Sequence, residues 1–161
     1  MSAEERKAAI LAFFDRAWGR HDVDAYDTVA HSDVTLHLAG YPEPIQGREA
    51  VKEWVSMYQG AFPDISIEIR AITVDGDHVF LYWHSTQTHR GDYLGIKPLG
   101  DRVAMDVLQL FRFDGDLAAE VWILFDLLSV LQQLRVLPAG PPPKPLMALI
   151  NPIRRLRRRR S

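Results

Sequence analysis

The 161-residue sequence contains no cysteine. That removes disulfides, thiolate nucleophiles and cysteine-ligated zinc together. It lacks any apolar run approaching the roughly 20 residues a membrane-spanning helix needs. Its histidines and acids show no metal-ligand spacing of the HExxH kind, so neither a metal nor a cofactor is expected. Gly40, Gly91, Gly95 and Gly100 are scattered turn glycines, not a phosphate-cradling loop. Ser85 stands beside His84 without the surroundings of a nucleophile elbow. No internal repeat is present. The opening MSAEERKAAI is charged and has no apolar signal core, so a cytoplasmic location is expected.

What is present is ordinary in bulk and uneven in charge. Hydrophobic residues make up 47% and charged residues 25%, enough for one domain with a sizeable core. The net charge of −2 conceals two parts: residues 138–161 hold one Lys, six Arg and no acid, leaving 12 basic and 21 acidic groups in residues 1–137. The segment 138–161 reads as a stiff Pro-rich linker followed by a flexible Arg-rich tail. Such a tail suits solubilisation or weak contact with an anionic membrane surface, at roughly 1 kcal/mol per basic residue. It has no aromatic residue for base stacking, so specific nucleic-acid binding is not expected.

Periodicity divides the rest. Residues 2–20 read as an amphipathic helix, with Ser2 and Glu5 in a capping-box pattern and Ile10, Phe13, Phe14, Ala17 and Trp18 on one face. A short helix to 29 follows Asp22 or Asp24, then a strand at 33–38 and a helix at 48–59. Strands are predicted at 65–74, 79–89, 103–113 and 118–125, and a final helix at 126–134 capped by Asp126. Asp114-Gly115-Asp116 is a hairpin signal between the last two strands. Helices first and then a long antiparallel meander imply an α+β fold, a curved sheet closed on one side by helices. The two last strands carry large apolar groups on both faces, with Asp106 and Gln109 set among them. Sparse polar groups in an apolar wall are what small-molecule sites look like.

Four stretches carry a resemblance: HLAGYPEPIQGREAV, AFPDISIEI, THRGDYLGIKPLGDRVAM and LFRFDGDLAAEVWILFDLLSVLQQL. Together they resemble the SnoaL-like polyketide cyclases, within the nuclear transport factor 2-like and ketosteroid isomerase-like superfamily. The resemblance spans about residues 4–137 and leaves the tail outside. It implies a cone-shaped fold, a strongly curved and mainly antiparallel sheet wrapped around an apolar pocket, and commonly a homodimer. It also implies cofactor-free ring closure by intramolecular aldol chemistry in natural-product biosynthesis. In that chemistry an Asp on the last strand serves as acid/base, helped by a polar residue, often His, on the strand before. Those positions fall at Ile123 and Gln109 here. An isoleucine cannot transfer a proton. The superfold also hosts epoxide hydrolases, isomerases and non-catalytic members, so the fold does not fix the function.

Replacement chemistry must therefore come from other residues. Asp106, between Met105 and Val107, would have a raised pKa if it faced inward. Strict alternation with an inward Gln109 instead sends it outward, unless a bulge intervenes. His37, between Leu36 and Leu38, is a second candidate acid/base or a hydrogen-bonded core histidine, and Gln109 is the candidate hydrogen-bond donor. His89 falls in the Thr-His-x-Gly stretch of the resemblance, where it shapes the pocket entrance or anchors a loop. Trp54, Tyr58, Trp83 and Tyr93, with Met105, Trp122, Ile123 and Phe125, are the candidate lining for a flat apolar ligand. Three functions follow: cyclisation or isomerisation of a hydrophobic polyketide-type molecule, epoxide hydrolysis by Asp106 with a second carboxylate, or non-catalytic carriage of an apolar ligand.

Overall fold

The computed structural model describes residues 1–140; most of the Pro-rich and Arg-rich segment, from 141 on, lies outside the described residues. The chain starts with helix α1, Ala3–Phe14, for the reason its sequence gives: the Ser2 hydroxyl accepts from the Glu5 backbone while the Glu5 carboxylate accepts from the Ser2 N–H. It does not run on to residue 20. A wider π-type turn takes over at Asp15–Gly19 and brings Ala17 and Trp18 into the core. Asp22 then caps a short 3-10 helix, Val23–Thr28.

Six strands follow, with two helices among and after them. They are β1 (Ala30–Leu38), β2 (Ile45–Gln46), β3 (Ser66–Asp75), β4 (His78–Thr88), β5 (Arg102–Asp114) and β6 (Leu117–Phe125). Helix α2 is Arg48–Ala61, and α3 is Leu127–Gln133, whose N-cap Asp126 accepts from Ser129. Strand β2, at two residues, is too short for alternation to reveal. The sheet is open, with order β2-β1-β6-β5-β4-β3. The pair β1–β6 is parallel and the other pairs are antiparallel. Register shifts between Ala30 and Thr35, Ile69 and Ala71, and Arg112 and Phe113 add local twist.

The helices cover one face of the sheet only. Ile10, Phe13 and Phe14 of α1, with Val51, Val55 and Tyr58 of α2, pack with Leu81, Trp83, Val107 and Phe111 from the strands. Phe13 makes edge-on contacts with Phe14, Tyr26 and Phe111 at centroid distances of 5.6, 4.7 and 6.1 Å. Full burial of each such ring contributes about 1.5–3 kcal/mol. Between β4 and β5, residues 90–101 fold back over α2. Arg90 and Gly91 both donate to the Ala61 carbonyl, at 2.9 and 3.0 Å, so backbone lies directly against backbone. This is the α+β architecture expected from the order of elements.

Candidate functional site

Alternation along the strands decides which candidates share a space. On β5 the inward residues are Val103, Met105, Val107, Gln109 and Phe111; on β6 they are Val121, Ile123 and Phe125. Gln109 stands between Leu81 of β4 and Ile123 of β6 in the cross-strand register. Its Oε1 accepts from Trp83 Nε1 at 3.1 Å, which fixes the amide orientation. Its N–H groups find no acceptor among the described residues. Gln109 and Ile123 border a small interior cavity of about 10 Å³ with Tyr26, Leu36 and Val121. That is room for one water. Gln109, Ile123 and Trp83 are thus brought together.

Asp106 is not with them. No bulge rescues it: β4 and β5 pair without a shift, and Asp106 lies opposite His84 on the outer face. It is exposed, with Oδ1 at 2.8 Å from His84 Nδ1 and 3.1 Å from Arg70 Nη1. The His84 hydrogen bond, reinforced by the Arg70 charge, holds its carboxyl below the ordinary aspartate value. The premise of a desolvated, proton-ready Asp106 is overturned, because alternation places it in water beside His84 and the Arg70 guanidinium. His37 is also on the outer face. Its ring stacks on Trp122 at 4.9 Å and 6°, with Nε2 at 3.4 Å from Glu120 Oε2. Glu120 in turn is gripped by Arg112, whose guanidinium holds the carboxyl below its usual range. Trp122 leaves the interior set with it, pointing out beside Leu124.

The remaining lining candidates gather where the 90–101 loop crosses α2. Trp54 is half-buried, stacks on Tyr58 at 5.5 Å and donates Nε1 to the Tyr41 hydroxyl at 3.3 Å. Tyr93, buried despite lying in a loop, sets its edge against Tyr58 at 5.6 Å and Phe62 at 5.2 Å. Burial pushes the Tyr58 and Tyr93 hydroxyls up, so both remain neutral donors. Met105 and Phe125 are half-buried on the inner face. His89 is fully enclosed, its ring 5.4 Å from that of Phe62. Two inward groups were missed: Ser85 and Gln87 on β4, both buried. Their signal was the run of polar residues at 85, 87 and 89, one inward position after another.

Among the described residues the buried polar side chains are Gln59, Ser85, Gln87, His89 and Gln109, with no carboxylate. No group of three described His, Asp or Glu residues has metal-site geometry, and no described helix is long and apolar enough to cross a membrane. The outer face, by contrast, is left partly bare. Phe80, Leu108 and Leu124 are 46%, 57% and 57% exposed there. With Tyr82, Leu110 and Trp122 they line a shallow concavity of about 500 Å³.

Comparison with known proteins places this arrangement. The family profile of the SnoaL-like polyketide cyclases matches residues 8–134. A solved structure from Acidithiobacillus ferrooxidans, provisionally named a polyketide cyclase, is 31% identical. It covers 84% of this chain and 99% of its own, with a TM-score of 0.73. AclR from Streptomyces galilaeus, provisionally named a hydroxylase, is 27% identical over 85% of this chain and 100% of its own, with a TM-score of 0.74. A Catenulispora acidiphila protein described as having a ketosteroid isomerase-like fold is 20% identical over 83% of this chain and 97% of its own, at a TM-score of 0.66. No curated protein matches. With its sheet, its inward Gln109–Ile123 pair and the profile match over most of its length, the chain belongs to the SnoaL-like polyketide cyclase family.

Proposed function

We propose that the chain is a cofactor-independent enzyme that closes a ring in, or isomerises, a neutral hydrophobic polyketide-type molecule during natural-product biosynthesis. The observation that carries this reading is the Gln109 amide, held by Trp83 beside Ile123 in an interior without a carboxylate. Intramolecular aldol closure of an enol forms one carbon–carbon bond, breaks the acceptor carbonyl's π bond and passes the enol O–H proton to the new hydroxyl oxygen, so no protein base and no change of oxidation state is needed. Gln109 Nε2 supplies a hydrogen bond to the carbonyl oxygen as it gains negative charge. Losing one such preorganised donor costs about 2.7–4 kcal/mol of transition-state stabilisation. The apolar residues around Gln109 enclose only about 10 Å³, so they part to admit the substrate and then supply the rest by holding its chain folded on itself, an effect that reaches about 7–11 kcal/mol in well-oriented systems.

The test begins with native mass spectrometry of protein purified from its host and turnover of whatever is bound. Gln109→Leu should lower kcat by about 10²–10³ while KM changes little. Unchanged kcat would reject Gln109 as the donor and leave shape alone. The carrier reading draws on the same lack of an interior carboxylate; a bound ligand that wild-type protein never converts would establish it. Epoxide hydrolysis loses its support, since it required Asp106 to converge with a second acid inside.

The outer face is proposed as the contact between two copies. Contiguous exposed apolar area of this kind is uncommon on monomers, and a two-fold contact would set Leu108 and Leu124 of each copy against the other's sheet. Sedimentation velocity should give a dimer for wild type. Leu108→Glu with Leu124→Glu should give a folded monomer, each carboxylate being already in water when the copies separate. A wild-type monomer at micromolar concentration would refute the contact.

A further inference from the structure

Strand β4 is apolar on its inner face through Val79, Leu81 and Trp83, and then changes character. Ser85, Gln87 and, just past the strand, His89 follow at alternate positions, with exposures of 0, 2 and 1%. Each keeps a polar atom with no partner among the described residues: Ser85 Oγ, Gln87 Oε1 and His89 Nε2. An unpaired buried polar group costs about 1–3 kcal/mol. Folded proteins hold few of them, and each calls for an explanation. The sheet itself does not ask for polarity here, because Ser85 lies opposite Met105 and Gln87 opposite Val103.

The bonds already made determine what the free atoms can take. Gln87 Nε2 donates to the Tyr58 hydroxyl oxygen. The phenol proton is therefore free to be donated onward, and Gln87 Oε1 is free to accept. The Ser85 hydroxyl can do either. Among the described residues no Lys, Arg, Asp or Glu is classed with them as buried, and the neighbouring Asp101 is already paired with Arg135 at 3.1 Å, so a charged ligand group would be stranded.

We infer that Ser85, Gln87 and Tyr58 form a recognition subsite for a neutral hydroxy-carbonyl or enol-carbonyl function, Gln87 Oε1 accepting from its hydroxyl and the Tyr58 phenol donating to its carbonyl. This rests on the reading of the interior as the binding chamber and adds which functional group is gripped there. The subsite is closed by Tyr93, whose edge lies against Tyr58. Its segment returns to the strand where the His89 N–H donates to the Asp101 carbonyl at 2.9 Å.

The experiment is calorimetric titration at pH 7 with two probes of nearly the same shape, benzoylacetone (neutral, enolised) and benzoylacetate (a carboxylate in place of the acetyl group). Wild type should bind benzoylacetone at least about tenfold more tightly. Gln87→Met keeps the bulk and removes the acceptor; it should weaken benzoylacetone by about tenfold or more and leave benzoylacetate unchanged. Ser85→Ala, the gentler change for folding, should weaken it in the same direction. Equal affinity for both probes would overturn the subsite. So would Gln87→Met and Ser85→Ala proteins that melt higher and bind as before, which would mean that buried water fills the row. Failure of benzoylacetone to bind overturns it too, yet leaves the Gln109 turnover result standing. Intact probe selectivity with no Gln109→Leu effect is the reverse case.

Discussion

Gly91→Ala is expected to destabilise the protein by at least about 3 kcal/mol, the range of severe overpacking against atoms that cannot move aside. A Cβ on Gly91 would stand 2.4 Å from the Gly60 carbonyl oxygen and 3.0 Å from Ala61 Cα, both backbone atoms. Relief requires the loop to lift from α2, which breaks the Arg90 and Gly91 bonds to the Ala61 carbonyl and unseats Tyr93 from Tyr58. Gly60 is the internal control. It lies in the same contact, but its own Cβ would meet nothing within 4 Å. Gly60→Ala should be neutral or gain up to about 1 kcal/mol from helix propensity. Thermal denaturation of the two variants side by side checks this, with Gly91→Ala melting about 6–12 °C below wild type. Equal melting temperatures would mean that the loop does not sit on α2 in solution.

Ile123→Asp is expected to be nearly as costly, and in a way that depends on pH. The substitution places the carboxylate of the resemblance on the inner face, opposite Gln109 and beside Leu38. No described buried cation waits for it. Full burial raises a carboxyl by about 3 units or more, equivalent to about 4 kcal/mol at pH 7. The native state then holds its proton at pH values where the unfolded chain has lost it. Stability is therefore undiminished by this charge below about pH 4, falls as pH rises toward the raised folded value, and levels off above it. Ile123→Asn loses similar packing without titrating, so its pH profile should parallel wild type. Urea midpoints from pH 4 to 8 measure the difference. Parallel profiles for Asp and Asn would show that position 123 reaches water or a cation.

How much of this was legible beforehand follows from what each signal depends on. The capping box at Ser2, the Asp126 cap and the strands from 65 to 125 are local patterns, and they stand in the structure within a residue or two of their expected bounds. Strand β2 is too short to alternate, and the π-type turn at Asp15–Gly19 continues a helical pattern without a break in sequence. The inward pairing of Gln109 with Ile123 was readable from the resemblance. The face of Asp106 was readable from alternation alone, and the structure sides with alternation against the attraction of an acid among apolar neighbours. Alternation also sends Trp122 outward once Ile123 faces inward, and His37 outward between Leu36 and Leu38; weighing each residue singly concealed this. Ser85 and Gln87 were hidden by weighing residues singly; the row is visible only when every second residue of β4 is read together.

The parallel pairing of β1 with β6 has a consequence for the order of events during synthesis. Leu36 pairs with Val121, about 85 positions later in the chain. Strands β3 to β6 are joined by hairpin-like connections and can assemble with neighbours as they appear. Strand β1 can pair early only with the two-residue β2; its long ladder partner, β6, is the last strand made. At about 5–20 residues per second, it waits roughly 4–17 s after its own synthesis for that partner. In that interval Val34, Leu36 and Leu38 have only β2 and helices α1 and α2 to shelter them. The early part of the chain is thus the part most exposed to wrong partners, and folding should be governed by a late, long-range closure.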